Sequence, residues 1–272
     1  LQPCGRDWDG RIILATSIAE SSLTLDGIRL VVDAGLSRHS RFDPGSGMEG
    51  LVTVPASQAS AEQRRGRAGR QAPGRCVRLW SAAEHRRRPA QDLPELQRAD
   101  PQPTVLNLAQ WGAGLGEELE WLEPPPQALF QEGLHQLKQL GLLTAQGQIT
   151  ADGRRVAAFG MHPRLGLMLI QARRWGLEDL ACDLAALLSE RDLPGARELG
   201  ADLSLRLHCL CRRDQDQDQD RLRPIRQQSR QWRRQLEEMD LPSSAAPFNA
   251  PQDLAIAQLV ATAFPEWLGL AR

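Results

Sequence analysis

The spacing of apolar residues in this chain changes once, near residue 81, and that change limits the possible folds more than any other feature. Ahead of it, residues 11–16 (RIILAT) and 28–33 (IRLVVD) are short apolar runs rich in branched side chains, the pattern of strands buried in a parallel sheet. A polar, hydroxyl-rich loop, residues 17–26, lies between them. Residues 40–42 and 51–54 flank the turn-forming cluster Asp43-Pro44-Gly45-Ser46-Gly47 and read as a hairpin. Residues 58–70 begin as a helix and become rich in glycine and arginine, and Pro73-Gly74 then leads into a last strand at 75–80. This order describes the second half of an α/β domain, residues 1–81.

Beyond that point strand signals nearly stop, and Pro89, Pro94, Pro101 and Pro103 mark a linker. Residues 104–111 and 127–140 read as helices, the second placing Phe130, Leu134, Leu137 and Leu140 on one face. Residues 142–150, with Gly147 at the turn, read as a small two-stranded wing, so residues 82–150 are expected to form a winged-helix-like module. Thr150 is a candidate N-cap for a helix to about residue 159, and Pro163 opens another that stops at Gly176. Leu177, Leu180, Ala181, Leu184, Leu187 and Leu188 follow helical spacing and bury one stripe, the mark of a helical bundle over residues 151–240. Further helical stretches are expected at 224–239 and 251–263, the latter inside a C-terminal helical region, residues 241–272. Between them and the bundle, residues 212–223 carry four aspartates among glutamines and arginines and read as a solvated linker.

Composition excludes several classes. At 272 residues, 41% hydrophobic and 25% charged, the chain has material for two or three small cores, and neither disorder nor collagen fits. It holds no run of apolar residues long enough for a membrane span and no basic region followed by an apolar stretch at its start, so cytoplasmic work without a membrane is expected. Five cysteines at unpatterned spacing argue against a disulfide scaffold. The net charge of -1 is uninformative, because basic and acidic residues can cancel globally while segregating locally. Lys138, the single lysine, sits in QLKQL, which excludes a phosphate-binding loop of the G-x-x-x-x-G-K-[ST] type from this chain. The start at Leu1, shortly before the first expected strand, points to a fragment.

Two segments carry chemistry. The first is Gln63-Arg64-Arg65-Gly66-Arg67-Ala68-Gly69-Arg70, in which four arginines are separated by small residues. Several guanidinium forks can converge there on one polyanion, and a triphosphate is the obvious target. The alternative is a basic helix face, solvated or bound non-specifically to nucleic acid. The glycines weigh against it, since each costs a helix interior roughly 1 kcal/mol relative to alanine. The second segment, residues 15–28 (ATSIAESSLTLDGI), follows a buried strand, where ligands bind in open α/β sheets. Its hydroxyls suit phosphate oxygens, or they serve as helix caps.

Together the two segments resemble motifs V and VI of DEAH-box RNA helicases, in the right order and at the right distance. The segments LPELQR (93–98) and LEPPP (122–126) also fit that family, and MHPRL (161–165), ACDLAALLSERD (181–192) and FPEW (264–267) are similar to its bacterial HrpB-type branch. The resemblance implies an α/β plus α fold: the C-terminal half of a RecA-like parallel-sheet domain, a winged helix and a ratchet-like helical bundle. It implies ATP hydrolysis coupled to RNA translocation, in a cleft shared with another RecA-like domain that would be this chain's partner. The Walker A loop, the D-E-x-H box and the Mg2+ ligands belong to that other half, so this chain alone is expected to be inactive and to hold no metal. Arg67 and Arg70 match the arginine fingers, Gln63 the position that orients the attacking water, and Arg64 its basic neighbour, with Gly66 beside the nucleotide. Thr16 and Ser17 match RNA-backbone contacts. Glu20, Ser22, Thr24 and Asp26 match residues linking the RNA and nucleotide sites, Ser22 and Thr24 on the RNA side and Asp26 near the ribose. Ser17 and Ser21 stand where the family usually has asparagine and threonine, which leaves polar character in place.

Other candidates are better explained without a ligand. Gly112-Ala113-Gly114-Leu115-Gly116 lacks dinucleotide-binding spacing and a preceding strand. His208, Cys209 and Cys211 lack a second metal-binding pair, and Leu207 and Leu210 continue a helix through them. The aspartates at 214, 216, 218 and 220 lack the glycine and terminal glutamate of a calcium loop. The hairpin resembles one that DEAH-box proteins use on RNA strands. Phe42 and Met48 there either meet bases or pack onto their own domain. The competing function is a non-catalytic module, a winged helix with a degenerate RecA-like half, that holds RNA or another single-stranded nucleic acid.

Overall fold

A computed structural model of the chain describes residues 11–21, 25–43, 47–190, 200, 202–211, 219–241 and 251–269. The chain forms two compact units, one reaching Ala99 apart from the hairpin turn at 44–47, the other starting at Asp100.

In the first unit β1 (Leu30–Asp33) and β4 (Arg75–Arg78) pair in parallel, with Leu30 opposite Arg75 and Asp33 opposite Arg78. The helix α2 (Gln58–Ala68) packs on both strands, and the short α1 (Ile18–Ser21) packs on α2. Alternation along β1 turns Asp33 inward, while Leu30 and Val32 face outward and are exposed. Residues 11–16 are not a strand. Ile12 and Leu14 are exposed and have no ladder partner among the described residues, because an apolar run signals burial but cannot by itself supply a neighbouring strand. The hairpin is longer than its apolar residues indicate. β2 (Leu36–Asp43) pairs antiparallel with β3 (Met48–Pro55) along their full lengths, and its polar residues alternate without an apolar signal. Phe42 is 5% exposed, so its side chain packs onto its own domain, and its N–H donates to the Arg98 carbonyl at 2.9 Å.

The first unit also runs past the expected boundary at residue 81. α3 (Ala82–Arg87) opens on a capping box in which Ser81 Oγ accepts from Glu84 N–H and the Glu84 carboxylate accepts from Ser81 N–H. Those bonds hold the Glu84 carboxyl below its usual range. Arg88 then donates to the carbonyls of Gly35 (2.7 Å) and Ala56 (2.9 Å), with its guanidinium 4.2 Å from the Trp80 ring centroid. The amides of Gln58 and Ala59 donate to the carbonyls of Pro89 and Ala90, so this segment covers the start of α2. The prolines there turn the chain without ending its packing.

The second unit is helical: α4 (Gln102–Trp111), α5 (Gln127–Gln139), α6 (Ala151–Ala158), α7 (Pro163–Trp175), α8 (Glu178–Ser189), α9 (Leu203–Cys211), α10 (Gln219–Glu238) and α11 (Gln252–Ala263). Thr150 caps α6 through Gly153 N–H, and α7 stops at Gly176, whose φ of 70° closes the last turn. The expected two-stranded wing contracts to one antiparallel bridge, Leu143 with Ile149, around a turn at Gly147. α7 is the hub. It packs on α4, α6, α8, α10 and α11, and Leu165, Leu167, Met168, Leu169 and Ile170, the apolar middle of the helix, are all buried. α10 is amphipathic, burying Leu222, Ile225, Ser229, Trp232 and Leu236 at helical spacing.

The two HrpB-like segments at 161–165 and 264–267 meet in this unit. Arg164, 3% exposed, donates to the Ala263 carbonyl at 2.9 Å and pairs with Glu266 at 2.7 Å, its guanidinium 5.5 Å from the Phe264 ring centroid. His162 Nδ1 accepts from Arg164 N–H, and its Nε2 lies 3.0 Å from Asp100 Oδ2. Leu207 and Leu210 are buried in α9, and the described residues contain no group of three or more His, Cys, Asp or Glu able to hold a metal ion. Of the expected linker, residues 212–218 lie outside the described residues. No described helix is long and apolar enough to cross a membrane.

Candidate functional site

The site rests on α2. Successive residues turn by about 100° on a helix, so Ser57, Ser60, Ala61, Arg64 and Ala68 share one face while Gln63 and Arg67 line another, and Arg70 follows beyond the helix end. Ser57 starts the helix by accepting from Ser60 N–H at 3.0 Å. The inward face is buried at Ser57, Ser60, Ala61 and Ala68.

Arg64 is the centre of that face. Its Nε (2.8 Å) and Nη2 (2.7 Å) engage Glu20, its Nη1 pairs with Asp33 at 2.9 Å and reaches the Leu36 carbonyl, and Nη2 also donates to Ser37 Oγ at 2.7 Å. Burial pulls the guanidinium pKa down, but the bonds to Glu20 and Asp33 outweigh it and hold the group above its ordinary value. Glu20 also accepts from Ser60 Oγ at 2.7 Å, and the same hydroxyl lies 3.0 Å from Asp92 Oδ2. The two sequence segments are therefore joined by a charged network in which Arg64 is spent internally. On another side of the helix Glu62 pairs with Arg65 at 2.6 Å and Arg78 at 2.5 Å, and the Arg78 hydrogen bond holds its carboxyl below the usual range.

The outer stripe differs. Gln63 and Arg67 share it by helix geometry, the first exposed and the second half-buried, and exposed Arg70 follows just beyond the helix end at Gly69. A side chain at Gly66 would meet nothing within 4 Å, and Gly69 ends the helix at an unremarkable φ of -101°. Neither glycine is required by the fold around it. Gly74 is, because a Cβ there would sit 2.0 Å from the Ala68 carbonyl oxygen.

In the other segment Thr16 and Ser17 are exposed, their carbonyls accepting from the amides of Ala19 and Glu20 as α1 begins. Ser22 and Thr24 lie outside the described residues. Asp26 is exposed and held by Gln71, whose Nε2 donates to Asp26 Oδ1 at 2.6 Å and whose Oε1 accepts from Gly27 N–H at 2.9 Å. Sequence reasoning missed Gln71, Asp33, Ser37 and Asp92, none of which stands out by type or spacing. Only Asp33 left a signal, as a charge ending an apolar strand.

The family described as Helicase conserved C-terminal domain matches residues 5–72, the span that holds the hydroxyl-rich loop, β1, the hairpin and the arginine-rich helix α2. ATP-dependent RNA helicase HrpB of Escherichia coli is 39% identical over 194 residues, 71% of this chain and 24% of that protein. Pre-mRNA-splicing factor ATP-dependent RNA helicase prp22 of Schizosaccharomyces pombe is 39% identical over 180 residues, 66% of this chain and 15% of that one. Two crystal structures of E. coli HrpB, described as a DExH-box NTPase and as a DEAH/RHA helicase, match 92% of this chain at TM-scores of 0.72 and 0.74 and 34% identity, and the chain covers 28% and 29% of them. The chain belongs to the DEAH-box helicases of the HrpB type, and it spans about a quarter of the HrpB length.

Proposed function

We propose that this chain forms the C-terminal part of the motor, with its accessory domains, in an ATP-dependent RNA helicase. Residues 1–81, together with the segment up to Ala99 that packs on them, serve as part of the second RecA-like domain, the rest of residues 82–150 as a winged-helix-like module, residues 151–240 as a ratchet-like bundle, and residues 241–272 begin a further helical region. ATP and Mg2+ bind on the partner RecA-like domain. Arg67 and Arg70 reach across to the phosphates, Gln63 orients the attacking water, and Gly66 lets the phosphates approach α2. Asp26 approaches the ribose, Thr16 and Ser17 contact RNA backbone, and Ser22 and Thr24 bind on the RNA side of the link between the RNA and nucleotide sites. Closure on ATP and reopening after hydrolysis move the RNA by steps.

The observation that supports this reading best is the division of α2 into two charged faces. Arg64 is consumed by Glu20, Asp33 and Ser37, whereas Gln63 and Arg67 line a separate stripe with exposed Arg70 just beyond its end. A merely solvated basic helix has no reason to bury one of its arginines in a carboxylate network. The test is RNA-stimulated ATPase in the full-length protein. Arg67→Ala and Arg70→Ala should each lower kcat by about 10³-fold or more, the scale of an arginine finger, with RNA affinity changed only a few-fold. Unchanged ATPase would remove the reading and leave the non-catalytic RNA-holding module.

A further inference from the structure

Gln71 follows directly on Arg70, and its side-chain amide is used at both ends. Its Nε2 holds Asp26 Oδ1 at 2.6 Å while its Oε1 holds Gly27 N–H at 2.9 Å. Arg11 Nη2 adds a third tie, donating to the Asp26 carbonyl at 2.9 Å. Asp26 is exposed, so without the amide its carboxylate would exchange among rotamers. With the amide in place Oδ1 is occupied by a donor, and Oδ2 carries no hydrogen bond among the described residues. A carboxylate accepts only, and a sugar hydroxyl is a donor of the kind Oδ2 lacks.

We propose that Gln71 is a positioning residue for the nucleotide sugar: it fixes Asp26 so that Oδ2 accepts from a ribose hydroxyl. The proposal rests on the reading that Asp26 approaches the ribose. Adjacent residues then govern two parts of the nucleotide, Arg70 the phosphates and Gln71, through Asp26, the sugar. Gln71 itself touches no substrate, so its loss acts through Asp26 and only when the sugar carries a hydroxyl to bind.

The experiment is steady-state ATPase of the full-length protein with Gln71→Leu, Asp26→Ala and the double variant, using ATP and 2′,3′-dideoxy-ATP. For ATP, each single variant should raise KM about three- to tenfold with kcat within about twofold, the scale of one exposed hydrogen bond to a charged group. The double variant should be no worse than Asp26→Ala alone. With the dideoxy nucleotide all four proteins should share one KM, an equality that a merely structural role would not produce. If Asp26→Ala raises the KM for ATP selectively and Gln71→Leu does not, the role of Gln71 is overturned and the ribose reading stands. If neither Asp26→Ala nor removal of the sugar hydroxyls changes KM, both fall.

Discussion

Replacing Arg64 by leucine would leave two carboxylates without their counter-charge, Glu20 at 14% side-chain exposure and Asp33 at 2%. Asp33 would keep one bond, from Gly35 N–H at 2.8 Å, and its Oδ2 already has no partner among the described residues. Glu20 would keep Ser60 Oγ. Breaking a buried pair of this kind costs about 3–5 kcal/mol, and the surviving bonds favour the lower end, about 3 kcal/mol. For a unit of this size each kcal/mol lowers Tm by about 4–8 °C, so the first transition in calorimetry should fall by roughly 12 °C or more. Adding Asp33→Asn to Arg64→Leu removes the unpaired buried charge and should recover part of the loss. A change under about 1 kcal/mol, with no recovery in the double variant, would mean that these are solvent-screened surface bridges and would refute the reasoning.

Gly74→Ala should destabilise the first unit by about 1–3 kcal/mol in urea unfolding, because the added Cβ meets backbone that no rotamer change can relieve, and an unchanged midpoint would contradict the close packing on Ala68. Burial pushes the Cys182 thiol up from 9.0 to about 12, so at pH 8 Cys182 should resist a thiol reagent that labels exposed Cys211, until the chain is unfolded. The same shift means that the unfolded chain ionises this thiol first. Stability is full below pH 9.0 and should drop as pH rises toward about 12, a loss that Cys182→Ala should remove. Arg164→Leu should cost about 3 kcal/mol and speed hydrogen exchange at the amides of Trp267 and Leu268, whose 3₁₀ turn Arg164 ties to α7; protection equal to that of the unmutated protein would show the contact to be incidental.

Much of the architecture was legible because it is local. Pro163 and Gly176 bound α7, Thr150 caps α6, a branched run marks β1, and Pro73-Gly74 leads into β4. Each depends on a few neighbouring residues whose stereochemistry does not need the rest of the chain. The misreadings share a cause as well. Residues 11–16 have the composition of a strand and no neighbour among the described residues, and the wing has the turn but only one bridge, since pairing depends on a second segment. The end of strand signals and the prolines place a boundary near residue 81, yet Arg88 reaches back to Gly35 and Ala56 across a separation that no local pattern encodes.

The sequence by itself determined the inventory and its periodicity: an arginine-rich helix whose 3.6-residue repeat sets Gln63 and Arg67 on one stripe and Arg64 on another. Tertiary structure alone decided what each face does. Arg64 became an internal tie because α1 and β1 deliver Glu20 and Asp33 to it, and Gln71, unnoticed in the sequence, gained a role because the turn at Asp26 and Gly27 lies beside it. The physical reason is that a side chain's charge and reach are fixed by its type, whereas its partner is fixed by where folding brings distant segments, and a guanidinium or an amide is defined chemically by the partner it meets.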